Sequence, residues 1–134
     1  MRPSIDEAML ATAAVWAARN TCSRLAVGAV LARDRRILSS GYNGAPAGLP
    51  HCVHEDEGPC AIAVHAEANA LLFAGRHGAS TLDTTMYCTH APCLACSGLL
   101  LNAGVARVVY RQPFRSQDGL ARLAAGGVKV ERHG

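Results

Sequence analysis

The sequence predicts an α/β domain in which helices cover a sheet. Apolar patterns along the chain run in the order α-β-β-α-β-α-β-α-β, which calls for a layered arrangement. The helical stretches carry recognisable start or stop residues. No repeat, low-complexity segment or linker divides the 134 residues, so one domain over residues 1–134 is expected.

Ser4 is placed to cap the first helix, with Glu7 three residues on as the second half of a capping box. Met9, Leu10, Ala13, Val15 and Trp16 continue a helical apolar pattern to about Arg19. Residues 25–31 and 37–42 are apolar runs around the polar segment 33–36, the signature of a β-hairpin. Residues 43–59 are rich in Gly, Pro and His and read as a long irregular loop. Loops of that length in small domains are usually functional or tied down. Residues 65–76 form a second helix and 84–89 a strand. Pro92 opens a helix over 93–103 and Gly104 closes it. A strand at 106–111, a short helix at 118–125 and a last strand at 128–130 complete the order.

Half of the residues are hydrophobic and 17% are charged, the balance of a folding chain. No apolar run is long enough to span a bilayer, so no membrane association is expected. Asp6 and Glu7 precede the first apolar stretch, which is wrong for a secretion signal. A cytoplasmic protein is expected, and its six cysteines read as metal-binding or catalytic. The net charge of +3 fits an anionic small molecule and is too weak to argue for nucleic acid.

Two segments carry chemistry. His65-Ala66-Glu67 and Pro92-Cys93-Leu94-Ala95-Cys96 supply three metal-ligand side chains and one spare carboxylate. Zinc with three protein ligands keeps a position open for water, as a catalytic site requires. Cys93 and Cys96 fall on one face of one helical turn, at a helix N-terminus that favours thiolates. Glu67 stands two residues beyond His65, on another side of the helix axis, and can sit beside the metal without binding it. The competing readings are a structural zinc closed by a fourth protein ligand and an ordinary cysteine pair. Zinc lowers the pKa of bound water towards neutrality. Glu67 is then suited to act first as the base that takes a proton from that water and then as an acid that delivers one.

The H-x-E and P-C-x-x-C pair resembles the signature of zinc nucleobase deaminases. Further segments narrow the resemblance: Thr21-Cys22-Ser23-Arg24, Val27-Gly28-Ala29-Val30, Gly41-Tyr42-Asn43-Gly44-Ala45-Pro46-Ala47-Gly48, and Asn102-Ala103-Gly104-Val105. Together they resemble the deoxycytidylate (dCMP) deaminase family over about residues 20–130. The Gly41 to Gly48 stretch is the specific part.

The resemblance implies a three-layer α/β/α sandwich with a central mixed five-stranded sheet, the cytidine deaminase-like fold. It implies hydrolysis of dCMP to dUMP and ammonia, feeding thymidylate synthesis. His65, Cys93 and Cys96 would bind one catalytic zinc per subunit, with Glu67 shuttling protons. Asn43 would hydrogen-bond the deoxyribose; its other reading is a tight turn. Ala66, His90, Arg24 and Arg111 are further candidate substrate contacts, with Arg76 and Arg115 as additional options for the phosphate. Homo-oligomers are implied, hexamers first and dimers or tetramers as alternatives, with dCTP and dTTP as effectors. Cys88 reads as a core residue in a strand.

Some members of the family carry a second, structural zinc. Cys22, Cys52 and Cys60 match it here, with His54 first as fourth ligand and His51 or His90 as alternatives. The competing reading is three reduced thiols. The loop from Cys52 to His65 is shorter than in many relatives, which implies a reduced regulatory insertion. Deaminases of cytidine, guanine, pterin or tRNA adenosine are the neighbouring alternatives. A non-catalytic zinc module is the remaining one, and the intact Glu67 argues against it.

Overall fold

The structure, a computed structural model of the 134-residue chain, describes residues 1–22, 25–53, 60, 62–114 and 116–134. Its elements follow the expected order: α1 (Ile5–Ala17), β1 (Gly28–Arg33), β2 (Arg36–Tyr42), α2 (Ala66–Arg76), β3 (Thr84–His90), α3 (Leu94–Ala103), β4 (Val105–Gln112), α4 (Asp118–Ala125) and β5 (Lys129–Arg132). Ser4 caps α1, its hydroxyl accepting the Glu7 amide at 3.1 Å. The helix stops at Ala17, two residues early, because Arg19 and Asn20 donate their amides to Trp16 and Ala17 in tighter three-residue turns. Asp34 and Arg35 both take left-handed φ values, 53° and 65°, as a two-residue hairpin turn requires.

The sheet order is β2-β1-β3-β4-β5. β1 is antiparallel to both β2 and β3, while β3, β4 and β5 run parallel. The mixed five-stranded sheet is thus as anticipated. Residues 25–27 stay outside β1, because Asn43 pairs with Val27 through backbone and side chain and ends the ladder with β2 at Gly28.

Alternation along the strands sorts the core into two layers. Ala29, Leu31, Met86, Cys88 and Val108 face α2, α3 and α4, which contribute Ala66, Ala70, Leu100 and Leu123. Val30, Ala32, Tyr87 and Val109 face α1 through Met9, Leu10 and Ala13. Among the described residues the fold is therefore three-layered, with one helix on one face and three on the other. Cys88 is a fully buried core residue. On the α1 face, Arg107 binds both oxygens of Asp6, at 3.0 and 2.7 Å, and also Glu131 at 2.7 Å. Tyr87 donates to Asp6 at 2.8 Å. This network fastens α1 to β3, β4 and β5.

Candidate active site

α2 and α3 both begin at the C-terminal side of the parallel strands, where loops of α/β sheets gather their ligands. Each starts with a candidate metal-ligand residue in the N-cap position: His65 for α2 and Cys93 for α3, both in extended conformation. The Cys93 thiol caps its own helix, accepting the Cys96 amide at 3.5 Å. Two glycines let other elements press on these starts. A Cβ on Gly41 of β2 would fall 2.3 Å from the Ala66 carbonyl oxygen, and one on Gly119 of α4 would fall 2.3 Å from that of Pro92. Neither position has room for a side chain.

The three ligand atoms converge. His65 Nδ1 lies 3.4 Å from Cys93 Sγ and 3.3 Å from Cys96 Sγ. All three donors lie within 4.8 Å of one another. Tetrahedral zinc with ordinary Zn–N and Zn–S bonds needs N–S edges of roughly 3.5 Å, so the donor set fits that ion. Two thiols this close compete for one negative charge. Hydrogen bonds from Cys96 and His65 draw Cys93 down to about 4, and the Cys93 thiolate pushes Cys96 upward. The same thiolate raises His65. A divalent cation resolves that competition.

Glu67 is 4% exposed and lines the cavity that holds the ligand set. Burial raises its pKa, which suits a group that must both accept and return a proton. The cavity encloses about 440 Å³. Asn43, Ala66 and His90, three of the expected substrate contacts, also line it. Asn43 is buried and already engaged: its Oδ1 accepts the Val27 amide at 2.8 Å and its Nδ2 donates to the Leu25 carbonyl. A carboxamide has four hydrogen-bonding positions, so one donor and one acceptor remain. Asn43 is thus first a clamp on residues 25–27.

The Cys22, Cys52 and Cys60 thiols form a second convergent group within 4.8 Å. Cys22 and Cys52 are joined by an isolated parallel bridge, which closes residues 43–53 onto the chain before β1. Burial, then a hydrogen bond with Cys22, pushes Cys52 up to about 11. Burial works to raise Cys60 too, but the Ala63 and Ile62 amides and the two neighbouring thiols bring it down to about 7. His54 lies outside the described residues. Among the described residues, neither His51 nor His90 joins this group.

The arginines are less gathered. Arg24 and Arg115 lie outside the described residues. Among the described residues, no arginine or lysine lines the cavity. Arg111 stays on β4, its carbonyl accepting Arg132 Nε at 3.3 Å, and Arg76 is exposed at the end of α2. The cavity wall instead includes Leu25, Val27, Phe114 and Ser116, which sequence reasoning did not single out. Phe114 and Ser116 follow β4, and a loop at the C-terminal end of a parallel strand was the available signal.

Residues 3–112 match the family described as cytidine and deoxycytidylate deaminase zinc-binding region. The chain is 41% identical to the deoxycytidylate deaminase of Mycobacterium phage D29 over 124 residues, covering 81% of this chain and 95% of the phage protein. It is 34% identical to the deoxycytidylate deaminase of Saccharomyces cerevisiae over 143 residues, covering 98% of this chain and 46% of the yeast protein. The crystal structure of dCMP deaminase from cyanophage S-TIM5, in complex with dCMP and dUMP, superposes with a TM-score of 0.92. Identity to it is 37%, with 99% of each chain covered.

Proposed function

The chain belongs to the cytidine and deoxycytidylate deaminase family, and on that premise we propose that it converts dCMP and water to dUMP and ammonia, a route to thymidylate. The observation that carries this reading is the meeting of His65, Cys93 and Cys96 beside the buried carboxyl of Glu67, in a cavity that Asn43 also lines. A zinc ion held by those three residues supplies Lewis acidity and makes water nucleophilic near neutral pH. The residues do the rest. Glu67 takes one proton from the attacking water at its carboxylate oxygen and passes it to the ring nitrogen beside the reacting carbon, then takes the second proton from the same oxygen, now bonded to that carbon, and delivers it to the departing amine. The first amide of α2, on Ala66, is one of the helix's own unpartnered donors and is suited to hold a ring carbonyl. Asn43 uses its remaining donor and acceptor on the deoxyribose.

A second, structural zinc belongs to the same reading, held by Cys22, Cys52 and Cys60 with His54 as fourth ligand. Three converging thiols support it. Such an ion would hold residues 43–53 against the chain that Asn43 clamps. No described helix is long and apolar enough to cross a membrane, and zinc thiolates suit a reducing cytoplasm. Homo-oligomer formation, a hexamer first, is supported by Leu72 and Phe73, exposed on α2 at 63% and 39%.

Ammonia release from zinc-loaded protein tests the substrate across dCMP, CMP, deoxycytidine, cytosine and guanine. Selective turnover of dCMP is expected; activity on nucleosides or free bases alone would overturn the assignment. Adding dCTP or dTTP to the same assay tests regulation.

A further inference from the structure

Asn69 does not line the cavity, yet it touches both halves of the site. It stands on α2, and its main-chain amide closes the first helical turn onto the His65 carbonyl at 2.9 Å. Its side-chain nitrogen Nδ2 donates to the Tyr42 carbonyl at 2.9 Å and to the Val64 carbonyl at 3.4 Å. Tyr42 immediately precedes Asn43, and Val64 immediately precedes the candidate metal ligand His65. Carbonyl oxygens only accept, so the nitrogen end of the carboxamide must face them, with one hydrogen for each. Glycine at position 41 lets the side chain come this close, since a Cβ there would lie 3.0 Å from Asn69 Cβ.

This arrangement brackets Asn43. On its far side, Gly44 forms an isolated antiparallel bridge with Val64. The Gly44 amide donates to the Val64 carbonyl at 3.2 Å, and the Val64 amide donates to the Gly44 carbonyl at 2.7 Å. On its near side, Asn69 ties Tyr42 to the same Val64 carbonyl. The main-chain bonds of Asn43 itself run elsewhere, to Thr21 and Val27. One anchor to the Val64–His65 peptide would leave Asn43 able to pivot about it, whereas two fix its direction relative to His65. Resting on the dCMP reading above, we propose that Asn69 is a positioning residue, whose side-chain amide holds the sugar-contacting Asn43 at a fixed separation from the metal-holding His65. Val64 keeps its bridge to Gly44 without Asn69, so the loss of Asn69 acts on the Asn43 side.

The test uses zinc-loaded full-length protein: wild type, Asn69→Ala, Asn69→Asp, Asn43→Ala and the Asn43→Ala, Asn69→Ala double variant. Asn69→Ala removes two neutral hydrogen bonds, so KM for dCMP should rise roughly three- to tenfold, with kcat changed less than about twofold and zinc content undiminished. Binding of dUMP, measured by calorimetry, should weaken by the same factor. Asn69→Asp keeps the shape but sets an acceptor against the two carbonyls, and should raise KM at least as much. In the Asn43→Ala background, Asn69→Ala should change KM less than about twofold, because the residue it acts through is gone. In wild type, which needs no variant to fold, nitrogen NMR should show both Asn69 side-chain hydrogens exchanging slowly with water. Rapid exchange, or an Asn69→Asp variant with the wild-type KM, would overturn the donor role. Equal KM effects with and without Asn43, or loss of zinc from Asn69→Ala, would show that Asn69 does not act through Asn43. Wild-type protein that leaves dCMP untouched while those hydrogens are protected would instead defeat the substrate reading, and with it the role of Asn69.

Discussion

The chain gathers metal-ligand side chains twice, and the two groups are built differently. His65, Cys93 and Cys96 stand at the starts of two helices, on backbone held by β2 and α4. Cys22, Cys52 and Cys60 stand on irregular chain, with one isolated bridge joining Cys22 to Cys52. The first group mixes nitrogen with sulfur and has a buried carboxyl beside it; the second, as described, is sulfur alone. Rigid placement beside an acid suits chemistry. Sulfur on irregular chain suits holding a loop, because closed sites spend all their ligands on the metal.

The sharpest way to break this comparison is to remove one thiol from each group. Cys96→Ser should abolish deamination, by roughly 10³-fold or more, with loss of one zinc. Cys52→Ser should lower stability by roughly 2–4 kcal/mol and remove the other zinc, yet leave more than about a tenth of the activity. Metal analysis with urea melts and the ammonia assay reads both. Equal losses of activity would mean that the second group also serves the chemistry, and one zinc in the fully loaded wild type would remove it as a metal site.

Packing gives a smaller effect. Gly41→Ala and Gly119→Ala each force a methyl against backbone at the start of a ligand-bearing helix. Each should cost about 2 kcal/mol and reduce kcat more than a glycine-to-alanine change at exposed Gly75, where a Cβ meets nothing. Comparable kcat for all three would show that the glycines do not position the ligands.

The smallest effect lies on the opposite face of the sheet, away from both groups. The Arg107 guanidinium holds the Asp6 carboxyl at about 2, below its ordinary 3.8. A depressed carboxylate stabilises the fold above the unfolded value and loses that contribution as pH falls from about 4 towards 2. Asp6→Asn should flatten the stability profile in that window, by on the order of 1 kcal/mol for a partly exposed network. An unchanged profile would dissociate the Asp6–Arg107 pair from acid stability.

What was legible in the sequence was local. Pro92, Gly104 and the 33–36 turn mark element ends by their own backbone preferences, and the motif spacings place His65, Cys93 and Cys96 without tertiary information. Contacts made across the fold were not legible. Asn43 and Val27 truncate β1 through a pairing sixteen residues apart. Gly41 and Gly119 show their steric role only against α2 and the start of α3. The hydrogen bond from the Gly28 amide to the Thr89 hydroxyl depends on β1 lying beside β3. Phe114 and Ser116 enter the cavity because β4 ends there.

The central claim is that Glu67 moves the protons while His65, Cys93 and Cys96 hold the metal. Glu67→Gln, measured beside wild type for zinc content and for dCMP turnover, tests it most directly. Undiminished zinc with turnover reduced roughly 10²- to 10⁴-fold is the expected result. A zinc-replete variant that turns over dCMP at the wild-type rate would contradict it.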